Sequence, residues 1–175
     1  GDFDHQDAIQ KTLQGATYAI CTAAGPTKPS EYPKDFMLNF ISQKVWPVLE
    51  KETSFKVFLY QSGGFANVPG QSLPFMTKAI RHTLGRFVLG LEPILKDNEA
   101  VTEFMVQNNK KESFDFIVTR PSIMEELSEE KPVQANHEAG SSTAISFANL
   151  AAFSVDSLTD ESLYGKFPFV VPKTE

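Results

Sequence analysis

Three short apolar runs, each closed by small residues and each separated from the next by a helix-length interval, constrain this chain more than anything else in it. The central run is Lys56 to Gly64, KVFLYQSGG. Before it comes Ala16 to Gly25, ATYAICTAAG, and after it Phe114 to Ser122, FDFIVTRPS. A continuous apolar run ending in small residues reads as a strand buried on both faces whose C-terminal end opens onto a ligand crevice. Strand and helix in alternation are the sequence form of parallel βαβ crossovers. The expected architecture is an α/β sheet with helices on both faces.

The intervals support that reading. Asp4 and Asp7 suit the N-cap and N3 positions of a short helix through Leu13, with Gly15 as the residue that stops it. After a proline-bearing loop (Pro26, Pro29, Pro33), Phe36, Met37, Phe40, Ile41, Val45 and Val48 recur with helical period, and Pro47 is expected to kink or end that helix. Residues 65–74 turn to Gly, Pro, Asn and Ser, a loop at the C-terminal end of the central strand. From Phe75 to Gln107 the pattern is two helices with a break near Gly90 and Pro93. Residues 124–131 are acidic and expected to be solvated, Ser146 to Ser157 is a compact helix, and Phe167 to Val171 is the last strand.

At 175 residues the chain suffices for one domain with its own core. A net charge of -6 excludes a general nucleic-acid binder, which needs a basic footprint, and no apolar run reaches a membrane span. The lone cysteine, Cys21, sits mid-strand as an inert core thiol, consistent with a reducing, cytoplasmic setting. His5, His82 and His137 are scattered and form no metal-ligand cluster, and Ser62 lacks the G-x-S-x-G elbow of a hydrolase.

Taken in order, several passages resemble the atypical short-chain dehydrogenase/reductase family, in its NAD(P)H-binding, NmrA-like branch that includes flavin reductases and biliverdin IX-beta reductase. The passages are Gly1-Asp2 with the strand ending Ala23-Ala24-Gly25, Phe58 to Gly63, ILKDNEAVTEF (94–104), DFIVTRP (115–121), Ile145 to Ala152, and Tyr164-Gly165-Lys166. The resemblance implies a Rossmann-like NAD(P)-binding domain over 1–175. It also implies that the Gly-rich turn seating the pyrophosphate would lie about 60 residues upstream of Gly1, at ~30 residues per βαβ unit. The chain is thus expected to be the C-terminal two-thirds of such a domain.

The resemblance also assigns roles. Ser62 would sit by the nicotinamide, with Gly63 beside it. Thr22, Ala23, Ala24 and Gly25 would let ribose or nicotinamide approach the backbone, tight packing against the next helix being the other explanation of their size. Asp2 would lie near adenine, or else serve at a helix entry. Pro121 and Ser122 would line the nicotinamide, while Arg120 reads as a structural salt bridge. Lys78, Arg81 and His82, with Arg86, form either a rim for an anionic substrate or a solvated basic face.

The Tyr that many short-chain dehydrogenases place four residues before a Lys is missing, since Lys96 has Glu92 at that offset. That disfavours carbonyl reduction, for which His82, Tyr60 or water would have to donate the proton, and favours hydride transfer to a flavin, quinone or tetrapyrrole-like acceptor. The cofactor expected is NADP or NAD, with NADP slightly favoured. The rival reading is a sensor or scaffold protein that binds NAD(P) and turns nothing over.

Overall fold

The computed structural model describes residues 5–26, 28–83, 90–109, 114–127 and 131–173. Asp2, Asp4 and Arg86 lie outside them.

The three apolar runs are parallel neighbours. They form β1 (Tyr18–Cys21), β2 (Val57–Gln61) and β3 (Asp115–Pro121), with Cys21 opposite Tyr60 and Gln61 opposite Thr119. The last strand, β7 (Phe169–Pro172), runs parallel to β3. Between them in sequence come β4 (Met124–Glu125), β5 (Val133–Asn136) and β6 (Ile145–Ser146). The main sheet has the order β1-β2-β3-β7-β5, with β5 antiparallel, and β4 pairs with β6 in a separate parallel ribbon.

Val57 to Tyr60 are all buried, as a strand covered on both faces requires. Alternate residues feed two cores. Phe58, Tyr60, Phe116 and Val118 face Met37, Ile41, Trp46, Val101 and Met105. Val57, Leu59 and Ile117 face Leu158 and Leu163. Trp46 anchors the larger core, its ring 4.9 Å from Phe114 and 5.4 Å from Phe104 in tilted and edge-on contacts.

Helix α1 (Gln6–Leu13) starts behind His5 and ends as expected, with Gly15 at φ +71° in the left-handed region. The second helix changes register just before Pro47 and ends two residues after it. It runs as α2 (Phe36–Asn39), a π-helical stretch (Phe40–Val45) and α3 (Trp46–Leu49). The widened turns directly before Pro47 relieve the clash of its ring with the carbonyl four residues back. The 75–107 region gives α4 (Phe75–Ile80) and α5 (Glu92–Asn109), separated at Gly90, where φ is +64°. Helix α6 (Phe147–Ser157) is N-capped by Ser146, whose hydroxyl accepts from the Asn149 N–H at 3.0 Å.

Candidate functional site

Because β1, β2 and β3 are parallel and in register, their C-terminal ends open on one edge of the sheet, where α/β folds bind ligands. The Ser62 N–H donates to the Thr119 carbonyl at 2.9 Å, so Ser62 leaves β2 directly beside the TRP stretch of β3. Gly64 lies against Pro121 so closely that a Cβ on it would stand 2.9 Å from the Pro121 carbonyl oxygen. A residue with a side chain does not fit there. Gln61 closes the arrangement from the other side, its Nε2 3.7 Å from Met124 Sδ, which draws the start of β4 over the end of β2. Ser62, Gly63, Pro121 and Ser122 are thereby gathered in one place.

Ser62 is 7% exposed, and its buried hydroxyl has no hydrogen-bond partner among the described residues. Leaving such a group unsatisfied costs about 1–3 kcal/mol; the buried Thr119 hydroxyl, on the neighbouring strand, and the Trp46 indole N–H in the core are likewise unpartnered among the described residues. Ser122 is different: its hydroxyl donates to the Val170 carbonyl at 3.0 Å and serves the β3–β7 junction. A Cβ on Gly63 would meet nothing within 4 Å.

The end of β1 is more occupied. A Cβ on Gly25 would stand 2.5 Å from Tyr32 Cε2 and 3.0 Å from Phe36, so the missing side chain makes room for two rings. Tyr32 donates to Asp97 Oδ2 at 2.7 Å, and the same carboxylate accepts the Met37 and Leu38 N–H groups at 2.7 and 3.0 Å. Asp97 therefore fills the N-terminus of the helix that follows β1, and a phosphate would meet a carboxylate there. Thr22 and Ala23 line a cavity of about 400 Å³ with α1, Phe40 and Phe58; its walls carry no cationic side chain. The described residues around β1 thus offer no seat for a phosphate.

Burial raises the Cys21 thiol above its ordinary pKa, as expected of a core thiol. Tyr60 is sealed, its hydroxyl donating to Asn98 Oδ1 at 2.8 Å, and burial pushes its pKa well up; it does not serve as a proton donor. The Arg120 guanidinium makes no ion pair among the described residues. It donates to the Phe167 carbonyl and to Gln71 Oε1 and stacks 3.7 Å over the Phe169 ring, and burial lowers its pKa to about 10.

Lys78, Arg81 and His82 line a second cavity of about 270 Å³ with Asn67, Leu73 and Glu92. Arg81 is not free for an anion. It pairs with Glu99, lies 3.9 Å from Glu92 and donates to the Phe65 carbonyl, while Lys78 donates to Ser72. Glu92 also lies 3.6 Å from Lys96, so the residues at the Tyr/Lys offset form an ion pair on the helix surface.

Sequence reasoning gave Asp97 no role. Its signal was present, since Asp97, Val101 and Met105 follow at i, i+4, i+8 and put a carboxylate on the buried stripe of α5. Among the described residues no cluster of His, Cys, Asp and Glu suits a metal ion, and no helix is long and apolar enough to cross a membrane.

No family model matches the chain, and no curated protein matches it by sequence. Solved structures do match. The anaerobilin reductase ChuY of Escherichia coli O157:H7 superposes with a TM-score of 0.65 at 9% identity, over 100% of this chain and 74% of that one. The fold is Rossmann-like. A putative NAD-dependent epimerase/dehydratase from Bacillus halodurans gives 0.62 at 14% identity, over 99% and 71% of the two chains. A short-chain dehydrogenase/reductase from Veillonella parvula in complex with NADP gives 0.58 at 12%, over 98% and 70%. The α/β sheet read from the three apolar runs, and the Rossmann-like form of it that the family resemblance implied, are therefore the fold observed.

Proposed function

We propose that this chain is an NAD(P)H-dependent reductase of the atypical short-chain dehydrogenase type, a single NAD(P)-binding domain that passes hydride to a conjugated acceptor such as a flavin, a quinone or a tetrapyrrole-like ring. The observation that carries the reading is the buried, unpartnered hydroxyl of Ser62 at the end of the central parallel strand. Nicotinamide, when bound, supplies the hydride. Ser62 hydrogen-bonds the carboxamide or the acceptor and fixes the angle between the two rings, while Gly63, Pro121 and Ser122 wall the site with backbone and admit close approach. Thr22, Ala23 and the edge of Ala24 and Gly25 border the ribose side. Asp2 is assigned to adenine on resemblance alone. NADP is favoured over NAD, and one neighbour holds NADP.

Acceptor reduction of this kind needs no protein proton donor, which suits a site where Glu92 stands in place of the expected Tyr and Tyr60 is sealed. The same ion pair favours the second reading, a binding protein that senses NAD(P) without turnover. Titration of NADPH and NADH by fluorescence, followed by NADPH oxidation with menadione or riboflavin, separates them. Binding with acceptor-dependent oxidation is the expected result. Binding without oxidation selects the sensor, and absence of binding removes both.

A further inference from the structure

Helix α6 is apolar all round. From Phe147 to Val155 it reads FANLAAFSV, with no charged residue before Asp156. A helix of that composition is ordinarily enclosed on every side, and this one is enclosed on one. Leu150 and Phe153 pack with Val170 of β7 and Val133 of β5, and Ser154 and Ser157 turn inward, each returning its hydroxyl to the carbonyl four residues back. The outer positions follow at i, i+1, i+4, i+5 and i+8: Phe147, Ala148, Ala151, Ala152 and Val155. All five are exposed, Phe147 at 52% and Val155 at 58%. The two ends of the helix differ in charge. Asp156, Asp160 and Glu161 are exposed at its C-terminal end, whereas the N-terminal end carries the free N–H groups of the first turn and Lys131, whose carbonyl accepts from the Asn149 side chain.

We infer that the outer face of α6 is covered by the same face of a second copy of this chain, the two helices lying antiparallel about a two-fold axis at Ala151. The stripe is self-complementary about that residue. Phe147 and Val155 lie four positions to either side of it, so the phenyl ring of each copy meets the valine of the other. The three alanines between them let the helix axes approach to about 8 Å. Charge selects the antiparallel arrangement: it sets Asp156 beside the N-terminus and Lys131 end of the second helix, where a parallel pair would set Asp156 against Asp156. A helix of 11 residues is about 16 Å long, and one face of it falls short of the roughly 800 Å² per partner of a standard interface. The dimer is accordingly weak and reversible. Its contact is separate from β1, which lies at the opposite end of the sheet from β7 and β5, and it does not depend on the reductase reading.

Disulfide cross-linking with copper–phenanthroline as oxidant tests this, the native Cys21 being buried. At the two-fold axis the Ala151 Cβ atoms face one another at about the 4 Å that a disulfide spans. Ala151→Cys should therefore give a linked dimer about tenfold faster than Thr53→Cys, an exposed position on the turn before β2. Phe147→Cys and Val155→Cys, each slow alone, should link to one another when the two chains are mixed. Adding Ala152→Arg to Ala151→Cys should slow its cross-linking to the Thr53→Cys rate, with the Trp46 unfolding midpoint unchanged to show that the fold is intact. Ala151→Cys that links no faster than Thr53→Cys overturns the inference, and is the outcome expected if a different protein covers this face. Phe147→Cys that links to itself as fast as to Val155→Cys overturns it as well, because the helices would then run parallel.

Discussion

The buried phenols and the buried guanidinium impose opposite pH dependences. Tyr32 and Tyr60 have pKa values raised first by burial, and for Tyr32 also by the Asp97 carboxylate that its hydroxyl contacts. Folded phenols keep protons that the unfolded chain releases above pH ~10, so their contribution is intact below that pH and is lost as pH rises past it. Arg120 works the other way. Its charged form is disfavoured by burial, a cost present in full below about pH 10 and relieved above it as the folded state releases the proton first. Two phenols against one guanidinium predict a net fall in stability above pH ~10, at most about 1.4 kcal/mol per pH unit for each phenol. The half-buried Tyr32 gives less than that because solvent screens it. Trp46, the sole tryptophan and 2% exposed, reports unfolding. Denaturation midpoints at pH 8, 10 and 11 should decline at the alkaline end, less steeply in Tyr32→Phe and more steeply in Arg120→Met. Profiles unchanged in slope in both Tyr32→Phe and Arg120→Met would contradict the burial of these groups.

Among the elements, legibility followed how much of each pattern was local. Strands β2 and β3 were readable because a strand covered on both faces must be apolar at every position, and VFLY and FIV are. Strand β5 was not: Val133–Asn136 reads VQAN and is half-buried throughout, held by its antiparallel pairing with β7 and by the packing of Val133 and Ala135 against residues distant in sequence. Likewise β4 lay inside an acidic stretch and owes its existence to β6. At Pro47, where a kink or an end was expected, the helix closes at Leu49 after a π-helical accommodation that the sequence did not show, and which depends on Ile41, Val45 and Trp46 being worth burying. At the site, Ser62 and Pro121 were visible as strand ends, whereas the neutralisation of Arg81 by Glu99 joins positions 18 residues apart across two helices. The two glycines after Ser62 look alike in sequence and differ in the fold. Gly64→Ala should cost about 1–3 kcal/mol, since its Cβ collides with backbone that cannot move without shifting β3, while Gly63→Ala should be tolerated. Thermal unfolding of the two variants makes the comparison, and equal melting temperatures would show that the Gly64–Pro121 approach is not tight.

At the scale of the whole molecule the sheet is asymmetric. One side ends in β5, and the other ends in β1, whose outer edge has no strand beside it among the described residues. Edge strands usually carry charge, proline or a bulge that discourages pairing with other chains. Strand β1 reads Tyr18-Ala19-Ile20-Cys21, has none of these, and leaves Ile20 at 37% exposure beside the apolar cavity under α1. Its backbone groups and its side chains therefore both favour association through this edge. The chain is expected to self-associate with rising concentration in spite of its net charge of -6, because that charge is not placed on β1. Ile20→Lys puts a charge on the exposed position without entering either core and should shift sedimentation profiles toward monomer while leaving the Trp46 unfolding midpoint within about 0.5 kcal/mol of the original, the range of an ordinary surface change. If association persists undiminished in Ile20→Lys, the contact lies elsewhere, and the exposed Phe75 and Met76 of α4 become the next surface to alter.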